Sequence, residues 1–318
     1  MITLEGLTKR YGATTAVDSL DLTVSPGRVT GFLGPNGAGK STTMRMILGL
    51  DSPSAGTALV DGRPYAAWPR PLTKVGALLD AKALHPRRRA RDHLIAMARS
   101  NGISVARVDE VLSTVGLDAV TRRRAGQFSL GMGQRLGIAG ALLGDPEVLM
   151  FDEPVNGLDP DGVRWVRHLM RSLAAEGRTV FVSSHLMSEM QLTADQLVVI
   201  GRGRLIADAP VADVIAGSSR TTVAVRVPDQ SDLAVLRERL AVDADGVESV
   251  DGRLLVTGLS AERVGDLAYE LGVRLHELVT ERASLEEAYM ELTAASVEYG
   301  VTNSQGDAEV ESGVAVAS

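Results

Sequence analysis

A glycine-rich stretch near the start of the chain carries the residue types that bind a phosphate group. It reads Gly34-Pro35-Asn36-Gly37-Ala38-Gly39-Lys40-Ser41-Thr42 and fits the pattern G-x-x-x-x-G-K-[ST]. The apolar run at residues 29–33 precedes it as a buried strand would, and residues 42–48 follow it with a helical pattern. In such a loop, glycines let backbone N–H groups face a phosphate, and the helix N-terminus adds positive potential.

The same stretch predicts the roles of two side chains. We expect Lys40 to reach the β- and γ-phosphates of a nucleoside triphosphate and the Ser41 hydroxyl to ligate Mg²⁺. A glycine-rich turn before a helix is the alternative interpretation, but the lysine, the serine and both flanks favour a nucleotide site. We therefore predict that every residue from Gly34 to Thr42 takes part in binding the nucleotide.

Two adjacent carboxylates end a second apolar run. Residues 148–151 are all apolar, and Asp152 and Glu153 follow them directly. A buried strand of this kind delivers both side chains to the carboxyl edge of a parallel sheet, where ligands bind in doubly wound folds. Asp152 suits Mg²⁺ ligation through water, and Glu153 suits polarisation of the water that attacks the γ-phosphorus. A plain polar strand end is the alternative, and the pairing behind a phosphate loop argues against it.

A third segment gives the chain a family resemblance. Ser129-Leu130-Gly131-Met132-Gly133-Gln134-Arg135 comes just before the apolar stretch at 136–143 and can begin a helix. With this segment in place, the chain resembles the ATP-binding subunits of ABC transporters. The branch it resembles most is the one paired with ABC-2-type export permeases, which includes drug, antibiotic and lantibiotic exporters. The resemblance covers residues 2–215, continues more generally to about residue 293, and rests on these motifs: Tyr11, the phosphate loop, the segment at Asp80, Ser129–Gln134, Asp152-Glu153 and His185.

The resemblance implies roles for further residues. It implies that Tyr11 stacks on adenine, that His185 contacts the γ-phosphate, and that residues 156–159 communicate across a dimer. It also implies that Ser129 and Gly131 reach the phosphates of an ATP held by a second copy of the chain. Taken alone, Tyr11 would be a core tyrosine and His185 a structural histidine, so these two roles depend on the order of the motifs.

Two positions depart from the family pattern. The family signature Leu-Ser-Gly-Gly-Gln appears as Phe128-Ser129-Leu130-Gly131-Met132, so its first glycine and its glutamine are replaced. Ser129 and Gly131 still offer a hydroxyl and a close backbone N–H to a phosphate from the start of a helix. Residues 75–80 read as a loop that ends in Asp80, where the family usually has glutamine. We expect Asp80 to help hold the metal or its water.

The implied fold class is α/β. It is a P-loop ABC ATPase cassette with a RecA-like core, an antiparallel β subdomain and a helical subdomain at about residues 83–145. A small α+β domain of ferredoxin-like pattern follows, because strands and helices alternate beyond a polar break at residues 216–219. We expect the cassette at residues 1–217, the second domain at 218–295 and a disordered acidic tail at 296–318.

Composition limits the partners that fit the chain. Its 318 residues carry a net charge of −7, which argues against a general nucleic-acid binder, and the lack of cysteine excludes disulfides and thiolate metal sites. No apolar window reaches about 18 residues, so we expect another chain to supply any membrane part.

The expected function is ATP hydrolysis with Mg²⁺ as cofactor. Two cassettes would form a homodimer that drives an ABC-2-type permease at the cytoplasmic face of a bacterial membrane. A soluble ABC-type ATPase that acts on nucleic acid or ribosomes is the alternative, but such proteins usually carry long coiled-coil insertions or two cassettes, and this chain has neither.

Two arginine clusters lie in the predicted helical subdomain, at residues 87–89 with Arg91 and at residues 122–124. The first cluster follows the segment at Asp80, in the region that faces the membrane subunit in the family. We expect it to form salt bridges with the permease or with anionic lipid headgroups. A solvated helix face is the alternative interpretation.

Overall fold

The computed structural model describes residues 1–80, 84–217, 222–281 and 283–298. The chain divides into two compact units, Met1–Val214 and Ile215–Ser318. In chain order, the strands are β1 (Ile2–Tyr11), β2 (Thr14–Val24), β3 (Arg28–Leu33), β4 (Ala55–Val60), β5 (Val75–Leu78), β6 (Val148–Asp152), β7 (Thr179–Ser183), β8 (Gln196–Gly201), β9 (Arg204–Pro210), β10 (Thr222–Arg226), β11 (Gly246–Val250), β12 (Arg253–Thr257) and β13 (Glu277–Glu281).

The helices are α1 (Lys40–Ile47), α2 (Ala90–Ser100), α3 (Val105–Thr114), α4 (Leu130–Leu142), α5 (Pro160–Ala175), α6 (Met187–Thr193), α7 (Val211–Ala216), α8 (Gln230–Asp243), α9 (Ala261–Glu270) and α10 (Leu285–Glu298). Within the described ranges, none of these helices combines the length and the apolar character needed to cross a membrane.

A six-stranded sheet forms the centre of the first unit. Its strand order is β5-β6-β7-β3-β8-β9, and each neighbouring pair is parallel except β8 with β9. Strands β3, β6 and β7 are buried along most of their length because central parallel strands are covered on both faces. Their phenylalanines, Phe32, Phe151 and Phe181, are buried. Because these strands run in one direction, the phosphate loop, the two carboxylates and the segment leading to His185 all follow strand ends at one edge of the sheet.

A three-stranded antiparallel sheet of order β2-β1-β4 completes the core around α1. Ile2 and Leu7 of β1 lie in the same buried cluster as Met44 and Ile47 of α1. β1 pairs irregularly with β2, beginning between Leu4 and Leu7, and these irregularities interrupt the alternation of buried and exposed residues that marks a strand.

The segment at residues 75–80, predicted as a loop, begins as an edge strand. Its first four residues form β5, which pairs in parallel with β6 from Val75 opposite Val148 to Leu78 opposite Phe151. The prediction was wrong because Gly76 weakens the strand pattern. The fold requires that glycine, since a Cβ there would lie 1.9 Å from the carbonyl oxygen of Ala141 in α4.

The helical region between β5 and β6 does not begin as a helix. Where the chain enters α2, the backbone at residues 86–91 runs antiparallel to residues 121–126. Gly126 donates to the Pro86 carbonyl at 2.9 Å, and Ala90 donates to the Arg123 carbonyl at 3.1 Å. This pairing brings both arginine clusters onto one exposed surface, which we call the arginine surface: Arg87, Arg88, Arg89, Arg122, Arg123 and Arg124.

The second unit contains a four-stranded antiparallel sheet of order β11-β12-β10-β13, with α8 and α9 as its connecting helices. This β-α-β-β-α-β order is the ferredoxin-like pattern expected from the sequence. Apolar residues of this unit form a buried cluster that includes Val223, Val225, Val227, Leu254 and Val256. Residues 296–298, assigned by the sequence to the acidic tail, belong to α10, and the remainder of that tail lies outside the described residues.

Candidate active site

The phosphate loop connects β3 to α1 and depends on glycine at two close approaches. Gly39 precedes α1 with φ of 106°, a left-handed conformation, and a Cβ there would lie 2.5 Å from the Ala16 carbonyl oxygen. A Cβ on Gly34 would lie 2.5 Å from the Ile200 carbonyl oxygen. The first N–H groups of α1 have no partner within the helix, so the loop can offer backbone donors to an anion.

Lys40 is the buried cation of this loop. Only 8 % of the residue is exposed, and its Nζ donates to the Gly34 carbonyl at 2.6 Å and to the Pro35 carbonyl at 3.3 Å. Burial lowers the pKa of the Lys40 ammonium, while the carboxylates of Glu153 and Asp152 act in the opposite direction. The ammonium therefore lies among loop carbonyls, with the carboxylates of the predicted base Glu153 and the predicted metal ligand Asp152 close enough to act on it.

Asp152 lies between two hydroxyl groups. The Ser41 hydroxyl donates to Asp152 Oδ2 at 2.7 Å, and the Ser183 hydroxyl donates to Oδ1. The structure thus brings together two of the predicted Mg²⁺ ligands, and both are the oxygen donors that Mg²⁺ prefers. Across the described ranges, no group of three or more His, Cys, Asp or Glu side chains could hold a metal. A magnesium ion here would need phosphate and water oxygens as well, which is its usual coordination in nucleotide sites.

Glu153 has an unusual backbone conformation that its neighbours stabilise. Its φ is 51°, in the left-handed region that residues other than glycine rarely adopt. Its N–H donates to the Ser183 carbonyl at 3.2 Å and to the Ser183 hydroxyl at 3.1 Å. Its carbonyl accepts from Gln134 Nε2 at 2.8 Å. Its Oε2 lies 2.8 Å from Nδ1 of His185. The structure therefore places the predicted base and the predicted γ-phosphate contact beside each other.

Tyr11 lies at the end of β1 with half of the residue exposed, so it is not a core tyrosine. Its hydroxyl donates to Asp51 Oδ2 at 3.2 Å, and Lys9 Nζ lies 4.9 Å from the ring centroid. Desolvation and the Asp51 carboxylate raise the pKa of the Tyr11 phenol, while Arg45 and the hydroxyl of Thr42, the last residue of the phosphate loop, act in the opposite direction. An exposed ring beside the phosphate loop is a surface on which a base can stack.

Ser129 begins α4, and its hydroxyl accepts from the Met132 N–H at 3.2 Å. The neighbouring residues contact the loop at 156–159. Leu130 packs so closely on Gly157 that a Cβ on Gly157 would lie 2.1 Å from Leu130 Cδ2. A Cβ on Gly131 would lie 3.3 Å from Leu158 Cδ2. Ser129 and Gly131 therefore belong to a surface formed with residues 156–159, and no hydrogen bond among the described residues connects them to the phosphate loop.

Comparison with known proteins identifies the family. A family model described as ABC transporter matches residues 17–156, and one described as a domain of unknown function matches residues 221–286. The bacitracin transport ATP-binding protein BcrA of Bacillus licheniformis is 37% identical over 295 residues, which are 90% of this chain and 95% of that protein. The chain belongs to the ABC transporter ATP-binding proteins.

Two further comparisons agree with this assignment. The Nod factor export ATP-binding protein I of Paraburkholderia xenovorans is 34% identical over 310 residues, which are 93% of this chain and 98% of that protein. A dimeric ATP-binding cassette in a post-hydrolysis state, bound to ADP and Pi, matches with 25% identity and a TM-score of 0.60, covering 66% of this chain and 98% of that structure. As a member of this family, the chain binds ATP and hydrolyses it.

In this ABC ATPase, Asp80 follows the edge strand β5, next to the strand that carries Asp152. It lines a groove of about 440 Å³ together with Arg45, Leu50, Tyr65 and other residues, most of them apolar. The backbone just before Asp80 is held by β5, so the position of Asp80 is more defined than the predicted loop at residues 75–80 implied. Its part in metal binding stays a prediction.

Sequence reasoning about the ABC ATPase missed two residues that hold Glu153. Ser183 is fully buried at the end of β7 and bonds to both Asp152 and Glu153. Its signal was its place directly before Ser184 and His185, where a buried strand reaches the same sheet edge. Gln134 is also buried, and its signal was an uncharged polar residue shortly before the apolar stretch at 136–143.

Proposed function

We propose that this chain is the ATP-hydrolysing subunit of an ABC-2-type membrane exporter and acts as a homodimer with Mg²⁺ at the cytoplasmic face of the membrane. The arrangement around Glu153 carries the proposal. A carboxylate 2.8 Å from His185 follows Asp152, which bonds to the first hydroxyl of the phosphate-loop helix. The names of the relatives, which include bacitracin transport and Nod factor export, support export as the direction.

Each side chain then has a defined task in hydrolysis. Lys40 binds the β- and γ-phosphates, and Tyr11 stacks on the adenine. Glu153 accepts the proton of the attacking water, and His185 holds the Glu153 carboxylate and contacts the γ-phosphate. Ser41 and Asp152, assisted by Asp80, would hold Mg²⁺, which supplies neutralisation of phosphate charge when bound.

The dimer brings Ser129 and Gly131 to the ATP of the second copy. The start of α4 suits this role, because its N-terminal N–H groups and the Ser129 hydroxyl can bind an anion. The measurement is molar mass by light scattering of Glu153→Gln, which should bind ATP without consuming it. We expect the mass to double with ATP and Mg²⁺, and to stay at one copy when Ser129→Trp is added. A mass that ATP leaves unchanged in Glu153→Gln would contradict the sandwich.

Partner stimulation tests the exporter part of the proposal. The purified chain should hydrolyse ATP slowly alone, because two cassettes must meet by diffusion. A permease holds two copies face to face at high effective concentration and should raise the rate. The experiment reconstitutes the chain in vesicles with a candidate permease, chosen as a membrane protein encoded by an adjacent gene if there is one, and measures phosphate release. Failure of the two proteins to copurify, together with an unchanged rate, would refute the exporter assignment.

The arginine surface is a proposed contact with the permease or with anionic headgroups. None of its arginines forms an ion pair with another described residue, whereas Arg91 pairs with Asp109 at 2.7 and 2.8 Å and is unavailable. Reversal of Arg87, Arg88 and Arg89 to glutamate should weaken stimulation and leave basal ATP binding intact. The matched control reverses three exposed arginines outside this surface, Arg28, Arg99 and Arg237. Equal stimulation of both triple variants would identify the surface as a solvated face.

A further inference from the structure

One buried amide contacts the backbone of the predicted catalytic base. Gln134 lies in the second turn of α4 with 4 % of the residue exposed. Its Nε2 donates to the Glu153 carbonyl at 2.8 Å. Its Oε1 is buried without a hydrogen-bond partner among the described residues. A buried acceptor without a partner is costly, and the bond that the amide nitrogen makes offsets part of that cost.

The bond matters because of the conformation that it holds. At φ of 51°, Glu153 occupies a region that sterically disfavours every residue with a Cβ. Such a conformation persists when surrounding groups over-determine it. Ser183 fixes the N–H side of Glu153 from β7, and Gln134 fixes the carbonyl side from α4. Together they set the direction in which the Glu153 side chain leaves the backbone, toward His185.

We propose that Gln134 is a positioning residue for ATP hydrolysis: its side-chain amide holds the backbone carbonyl of Glu153 and so aims the Glu153 carboxylate. Gln134 itself touches neither ATP nor the attacking water. The proposal rests on the proposed role of Glu153 as the base. Loss of the amide leaves ATP binding intact and misaligns the carboxylate, since the phosphate loop is formed by other residues.

The first test replaces the amide by an apolar side chain of similar length. Gln134→Met should lower kcat about tenfold, the effect of losing one hydrogen bond that leaves a buried carbonyl without a donor. The KM for ATP and the affinity for an ATP analogue should stay at the wild-type values. The matched control is Ile138→Met, which alters a fully buried position of the same helix without touching Glu153. An equal loss of kcat in the control would show that α4 packing alone is responsible and would overturn the proposal.

A double-mutant cycle separates this proposal from the proposed function. In the Glu153→Gln background, Gln134→Met should cause no further loss, because the group that it aims is already gone. Additive losses would overturn the positioning role. If Glu153→Gln hydrolyses ATP normally, the proposed function fails. If Glu153→Gln is inactive while Gln134→Met has the wild-type kcat, only the positioning role fails.

A third variant keeps the shape of the Gln134 side chain and replaces its amide donor with a carboxyl group. Gln134→Glu can donate to the Glu153 carbonyl only when its carboxyl group is protonated. Relative to wild type at each pH, its kcat should therefore rise as the pH falls, a profile that a packing defect does not produce. A ratio of mutant kcat to wild-type kcat that stays constant with pH would overturn the proposal. This test also applies if Gln134→Met fails to fold.

Discussion

Lys40→Met tests the phosphate loop through equilibrium ATP binding. The substitution keeps an unbranched side chain of similar length in the same buried position and removes its charge. No other cationic side chain is present in residues 34–42, so nothing in the loop can replace the ammonium. We expect the affinity for ATP itself to fall, and not only the rate of hydrolysis.

The size of the effect follows from the contacts of Lys40. In the free chain, Nζ is held by the carbonyls of Gly34 and Pro35 at 2.6 and 3.3 Å, so it is already positioned and desolvated. Binding of ATP adds a fully charged partner to a pre-organised donor. A hydrogen bond to a charged group contributes about 1.5–3 kcal/mol, which corresponds to a rise in Kd of about 10- to 150-fold.

The assay is a titration with a fluorescent ATP analogue in the presence of Mg²⁺, with a thermal melt to check the fold. Lys74→Met is the matched control. Lys74 lies outside the loop, where it pairs with Glu147 at 3.0 Å and lies 4.8 Å from the Trp68 ring centroid. We expect the control to bind the analogue as wild type does. An unchanged affinity of a folded Lys40→Met would refute the assignment of residues 34–42 as the phosphate site.

Two further predictions concern stability. Truncation after residue 217 should leave a folded chain that binds the ATP analogue, because the nucleotide motifs all lie in the unit Met1–Val214; an insoluble or non-binding product would contradict this. Burial, with a smaller effect of Arg88, lowers the pKa of His93 below its usual value, so the unfolded chain binds a proton more readily. The free energy of unfolding should therefore fall as the pH drops through about 6.5, and chemical denaturation at pH 7.5 and 5.5 should show a smaller fall for His93→Phe. Equal falls in both chains would rule out this contribution.

The grouping of site residues at one sheet edge could be predicted because each strand that leads to it can be recognised from a short stretch of sequence. The apolar runs at residues 29–33 and 148–151, and the apolar centre of residues 179–183, indicate buried parallel strands, and each is followed by a candidate functional group. Strands that run in one direction bring the residues after their carboxyl ends to the same edge of the sheet. Knowledge of the strand order was not needed to expect that Lys40, Asp152 and His185 lie near each other.

Contacts between distant backbone segments could not be predicted in the same way. The pairing of residues 86–91 with 121–126 uses N–H and carbonyl groups, which every sequence has, so no residue type marks it. The bond from Gln134 to the Glu153 carbonyl depends on how α4 is rotated against the loop after β6. The contact of Leu130 with Gly157 also depends on that rotation.

The role of Glu153 as the catalytic base is tested most directly by the rate of phosphate release by Glu153→Gln at saturating ATP and Mg²⁺. The amide keeps the shape of the side chain and its contact with His185, which lies 2.8 Å away, but cannot accept a proton from water. We expect normal ATP affinity and a loss of about 10²- to 10⁴-fold in rate, the usual effect of removing a positioned general base. A rate near that of the wild-type chain would contradict the role of Glu153 as the base.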